Sequence, residues 1–206
     1  MLSTPFPYLN LNKIIEEFQS IDLAFPGAES YLMSYAAFVR FFNKNLKQQL
    51  TEDDLVIGIH FAYGWMPTIF EFKHADLNAA VTIINQAKNS ELLTKAELTV
   101  LKTLLNNSIV GTSKLLHFIS PANYAIWDSR VYRFVTGKEK LDHSKVNSIS
   151  LYAAYLEHIR ELVKEEQFKI QVHQPLCEQL KQEISPLRVL ELVLFLGGPN
   201  KKTALI

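Results

Sequence analysis

Two ionisable side chains stand out by type and position within IVGTSKLLHFISPANYAIWDSRVYRFV, residues 109–135: Lys114 and Asp128. A Gly111-Thr112-Ser113 turn opening a helix would present unpaired backbone N–H groups and the positive end of a dipole, a setting that suits phosphate. Lys114 follows at once. An apolar wall and a helix N-terminus both favour an uncharged amine, so this lysine suits nucleophilic attack or phosphate ligation. His117, three residues on, shares its helix face, which is expected to look into solvent or a cleft. Ser120-Pro121 then stops that helix, and Asp128 stands at the N-cap of the next, Ser129 to Val135. Beyond capping, a carboxylate partly desolvated beside Trp127 and Tyr124 can stabilise a developing cation or activate water. Arg130 and Arg133, three apart, are placed to grip a phosphate together.

The elements that must position these groups read as helices from end to end, with no long apolar–polar alternation between hairpin turns. The expectation is an all-α fold, a compact multi-helix globule of one domain over 1–206 or two lobes with a cleft, the candidate site lying in a sub-lobe at about 75–140. Asn12 is the expected cap of KIIEEFQS. After a Phe25-Pro26-Gly27 turn, a helix carries Tyr31, Tyr35, Phe38 and Phe42 at core spacing. Thr51 followed by Glu52, Asp53 and Asp54 starts another. Trp65 to Phe72, broken by Pro67, is the least helical stretch. Asp76 and the Thr94–Glu97 capping box open two more helices, and Asn106-Asn107 ends the second. The short helix carrying Lys114 is expected to begin at Ser113. Gly137 is a C′ residue, followed by a polar link through Ser144 and an amphipathic helix across Leu151–Leu162. Pro175 and Pro186 each sit where a first helical residue belongs. The last helix, PLRVLELVLFL, is apolar nearly all round and so expected to be buried, with Arg188 and Glu191 as a pair. It ends at Gly197-Gly198-Pro199.

Composition excludes several classes. At 206 residues, 48% hydrophobic and 20% charged, the chain is neither disordered nor short of core. Its single cysteine, Cys177, rules out an intramolecular disulfide and a Cys-based zinc cage. The greasiest segment is far too short to span a bilayer and the start lacks a signal-peptide pattern, so the expected location is cytoplasmic, away from membranes. The formal net charge is zero, although Lys95–Lys145 holds eight basic against four acidic residues, an excess compatible with a phosphate-facing surface. His60, His74, His143, His158 and His173 show no paired-ligand spacing, no serine sits in a nucleophile elbow, and the 109–114 run lacks the P-loop's second glycine. No metal, cofactor or nucleoside triphosphate is therefore expected.

At these residues the chain resembles the helix-hairpin-helix DNA glycosylase superfamily, the group of endonuclease III and the oxidised-guanine glycosylases. There a Val-Gly turn opens a helix carrying a lysine, and an aspartate precedes a helix written Asp-x-x-hydrophobic-x-Arg-hydrophobic. Val110-Gly111 leads here to Lys114, and Asp128-Ser129-Arg130-Val131-Tyr132-Arg133-Phe134 matches the second half. The resemblance implies that Lys114 attacks the sugar carbon of a damaged nucleotide flipped into a cleft, while Asp128 supports the oxocarbenium charge. Gly111, Thr112, Ser113, His117, Arg130 and Arg133 would contact nucleic acid, and DNA would be the partner. The superfamily's four-cysteine iron–sulfur loop is lacking. Two other readings stay open: a non-catalytic α-helical module binding nucleic acid or protein, with Asp128 as a cap only, and an enzyme taking a small anion at the Gly111 turn.

Overall fold

All elements in the computed structural model are helical among the described residues, which are 5–23, 28–44, 48–64, 70 and 76–198, the side chains of 28, 29 and 31 excepted. The turn at 25–27, the Tyr31 side chain, most of the Trp65–Phe72 stretch, His74 and Pro199 lie outside them. In chain order the helices begin with α1 (Leu11–Phe18), α2 (Ala28–Asn43), α3 (Glu52–Gly64), α4 (Leu77–Lys88), α5 (Lys95–Leu104) and α6 (Ile109–Ile119). They continue with α7 (Ser129–Thr136), α8 (His143–Val146), α9 (Ile149–Leu162), α10 (Glu166–Phe168), a π-helical segment (Lys169–His173), α11 (Gln174–Leu180) and α12 (Pro186–Leu196). No helix among the described residues is long and apolar enough to cross a membrane.

The chain divides into two compact units. One is made of Met1–Ala28, Trp127–Val146 and Leu151–Ile206, and the other of Glu29–Ile126 with Asn147–Ser150. The expected sub-lobe at 75–140 coincides with neither, since the chain changes unit at Trp127.

Within the central unit α6 packs on α3, α4 and α5. Ten of its eleven residues are buried, all but Val110. The neighbours are built by the expected local signals: Asp76 accepts from Ala79 N–H to open α4, and Thr94 and Glu97 form a reciprocal capping box on α5. Gly58 on α3 is where α6 comes close. A Cβ there would stand 2.8 Å from Leu115 Cδ1 and nearer still to the Phe42 ring. Alanine gains about 1 kcal/mol of helix propensity but forces an overpacked core, so Gly58→Ala is expected to lower stability by about 1–2 kcal/mol in urea unfolding. A more stable variant would show that α3 and α6 do not meet there.

In the other unit α12 packs on α7, α1 and the π-helical segment, and every residue from Leu187 to Leu196 is buried. Ser185 caps it, accepting from Arg188 N–H at 3.2 Å, with Pro186 next. Trp127 lies against Phe6, Tyr132 and Tyr155, and its indole N–H donates to Val146 O at 2.7 Å. Two local expectations shift. The cap of α1 is Asn10, which accepts from Lys13 N–H, so the helix starts ahead of Asn12. The link after Gly137 contains α8, opened by Asp142 accepting from the Ser144 and Lys145 amides. Pro175 sits in the first two residues of α11, as expected of a residue without an N–H, and the π-helical segment runs directly into that helix.

Candidate functional site

The sequence-predicted site residues fall into two groups. Gly111, Thr112, Ser113, Lys114 and His117 sit on α6 in the central unit, and Asp128, Arg130 and Arg133 belong to α7 in the other. Tyr124, expected beside Asp128, is in the central unit.

The start of α6 is set by a turn and a distant side chain. Asn106 and Asn107 both take the left-handed conformation (φ 54 each), which asparagine tolerates better than most residues, and turn the chain from α5 into α6. Ser108 is the N-cap, its hydroxyl accepting from Gly111 N–H at 3.0 Å. Asn147 accepts from Ile109 N–H at 2.9 Å and donates to Asn107 O at 2.6 Å. The helix therefore begins at Ile109, not at Ser113. This corrects the expected anion turn at Gly111-Thr112-Ser113. The Gly111 and Thr112 amides are bonded to Ser108, and Gly111 is buried against the Tyr63 ring. The Thr112 and Ser113 hydroxyls donate to Ser108 O and Val110 O, and both residues are completely buried. Tyr63 in turn donates to Leu105 O at 2.7 Å, and burial pushes its phenol up to about 12.

His117 likewise does not face solvent. Its ring is fully buried, with Nδ1 2.6 Å from Tyr124 O and Nε2 3.0 Å from the Tyr35 hydroxyl. A carbonyl only accepts, so Nδ1–H donates to Tyr124 O, while Nε2 shares a hydrogen bond with the Tyr35 hydroxyl. His117 is thus a buried tether in the core, withdrawn from the surface expected of a nucleic-acid contact. Tyr35, expected as core for its spacing alone, gains a polar role that only a partner 82 residues away reveals. Lys114 lies between these inward-facing groups at 8% exposure, and among the described residues no other lysine is buried.

In the other unit Asp128 is the predicted N-cap. One carboxylate oxygen, Oδ1, accepts from both Arg130 N–H and Val131 N–H at 2.9 Å. Among the described residues no hydrogen bond reaches Oδ2. Asp128 is half-buried, so capping leaves one oxygen available. Arg130 lays its guanidinium over the Phe195 ring, 4.7 Å from the centroid, and Arg133 is half-buried with its Nε lacking a hydrogen-bond partner. The two arginines share α7 but have different surroundings. Behind them the fully buried Arg188 and Glu191 form an ion pair, as their spacing predicted. Burial, with Glu191 next and Tyr152 and Asp128 adding, holds the Tyr155 phenol well above its ordinary value. Tyr155 therefore stays protonated at neutral pH and offers no base.

Each unit thus offers one candidate group: a buried amine on α6, and on α7 a half-buried carboxylate with one oxygen outside the cap. No protein-family model, curated protein or solved structure matches the chain.

Proposed function

We propose that this protein is a DNA glycosylase-like repair enzyme working in the cytoplasm on damaged bases, with Lys114 as nucleophile and Asp128 as the supporting carboxylate. The observation that supports the reading is the burial of Lys114, a placement that lysines almost never take unless paired and that sets it apart from every other lysine among the described residues. In the proposed reaction its amine forms a bond to the sugar C1′ while the glycosidic bond breaks and the base leaves with the bonding pair. The C1′–O4′ bond then breaks as one proton passes from nitrogen to the ring oxygen, leaving a protonated Schiff base and a free hydroxyl. The role proposed for Asp128 is electrostatic support of the cationic character that builds up at the sugar, by the carboxylate oxygen that capping does not use. This chemistry draws on side chains alone and calls for no metal or cofactor. The half-buried Arg130 and Arg133 remain the nucleic-acid contacts of this reading, whereas His117, Thr112 and Ser113 act from the core by holding α6.

A second reading, a non-catalytic module binding nucleic acid or protein, is favoured by one observation: two amide hydrogen bonds already account for Asp128 as a cap.

Asp128→Asn separates the two. Asparagine keeps most N-cap capacity, so the melting temperature should hold within a few degrees. Release of a damaged base from duplex DNA should fall by roughly 10²–10⁴-fold, the usual loss for a positioned ionised group. Base release by the wild-type protein with an unchanged Asp128→Asn rate would leave Asp128 as a cap only. No base release and no borohydride-trapped complex from the wild type across oxidised, deaminated and abasic substrates would overturn the enzyme reading.

A further inference from the structure

In the unit carrying α12, His173, Cys177 and Glu183 bring an imidazole, a thiol and a carboxylate together, with one donor atom from each lying within 4.8 Å of the others. Among the described residues no other such group of three forms. His173 and Cys177 stand four apart on one helical face, and Cys177 Sγ is 3.8 Å from His173 Nε2. This mixed spacing is neither a histidine pair nor a cysteine cage, and so carries no familiar ligand motif. Two backbone departures build the site. The π-helical segment ends at His173, and such segments recur at functional positions. Lys181 then takes the left-handed conformation without being glycine (φ 52), and the chain turns back so that Ile184 O comes 3.0 Å from His173 Nε2 and 3.9 Å from Cys177 Sγ. The three side chains line a surface cavity of about 490 Å³. His173 is half-buried, Cys177 buried and Glu183 exposed, so the group runs from an enclosed thiol to an open carboxylate.

We propose that His173, Cys177 and Glu183 form a binding site for a divalent transition-metal ion of the zinc type, with water in the fourth position. Zinc holds nitrogen at about 2.0–2.1 Å and thiolate sulfur at about 2.3 Å, so these ligands on neighbouring tetrahedral vertices stand roughly 3.6 Å apart. The 3.8 Å separation already matches that span. The exposed Glu183 side chain closes the remaining distance by rotation. Sulfur and imidazole ligation selects zinc over magnesium and calcium, which prefer oxygen alone. On binding, the Cys177 thiol releases its proton to solvent. His173 Nε2, which donates to the Ile184 carbonyl, gives up that hydrogen bond: its proton passes to solvent, Nδ1 takes one up, and the freed Nε2 lone pair goes to the ion. The ion then clips α11 to the returning segment at 183. The site is independent of the glycosylase reading.

The test is titration of the full chain, stripped with a chelator, with cobalt(II). Cys177 is the sole cysteine, so any sulfur-to-cobalt charge-transfer absorption reports that residue. The expected result is a charge-transfer band with the intense visible bands of four-coordinate cobalt, saturating at one equivalent and bleached by zinc. Cys177→Ser should abolish the charge-transfer band, and Glu183→Gln, a change at an exposed side chain, should weaken binding about tenfold or more. A spectrum without the charge-transfer band, saturation at half an equivalent, or affinity unchanged in Glu183→Gln with circular dichroism intact would overturn the ligand set. The wild-type and Glu183→Gln titrations decide the matter even where Cys177→Ser does not fold.

Discussion

Lys114→Gln is expected to abolish covalent trapping of the protein on DNA. If the amine attacks the sugar, borohydride reduces the resulting Schiff base to a permanent link, and the complex is visible as a shifted band under denaturing conditions. Glutamine keeps length and polarity but cannot form an imine, so the yield on abasic or oxidised-guanine DNA should drop to the slow background set by other amines. Base release should fall with it. The position is nearly enclosed, at 8% exposure on a helix of buried neighbours. Folding must therefore be checked separately by thermal melting, and Lys114→Met serves as a second variant that also lacks the amine. Equal trapping by wild type and a folded Lys114 variant would exclude Lys114 as the nucleophile. Trapping by neither, with DNA binding retained by both, would favour the binding-module reading.

The largest stability effect is expected at the α12 ion pair. Arg188 and Glu191 are 0% and 1% exposed and are paired with each other. Removing one partner of a buried pair leaves the other charge without its main compensation and typically costs about 3–5 kcal/mol. Glu191→Ala should therefore destabilise the protein by about that amount, read as a lowered denaturant midpoint. Replacing both, as Arg188→Met with Glu191→Leu, removes the desolvated charges together and should lie within about 2 kcal/mol of wild type, on either side. A double variant as unstable as the single one would show that these residues act through other partners more than through each other.

Much of the candidate site was legible because its determinants are local. Asp128 as a cap, Gly137 as a left-handed helix end, the Thr94–Glu97 box and the Arg188–Glu191 pair all involve groups two to four residues apart. Backbone geometry alone brings such groups into register. The same holds for the burial of α12, since a helix apolar all round has no face to give to water.

Spacing could not place the groups whose partners come from far along the chain. Asn147, 38 residues beyond Ile109, helps fix the start of α6 and so takes the Gly111–Ser113 amides into the helix. His117 looked like a surface residue until Tyr35 and the Tyr124 carbonyl engaged both its nitrogens. The wrapping of α6 by α3, α4 and α5 made Lys114 a buried amine, because periodicity reveals which face is apolar but not how many sides of a helix will be covered. His173 and Cys177 come near Glu183 only because the chain turns back at Lys181, past the end of α11. The sequence by itself thus determined the helices, their caps and the charge pair of α12, since each depends on bonds a few residues long. Only the tertiary structure decided which polar groups are withdrawn from water and which meet, since that depends on contacts closed across tens of residues.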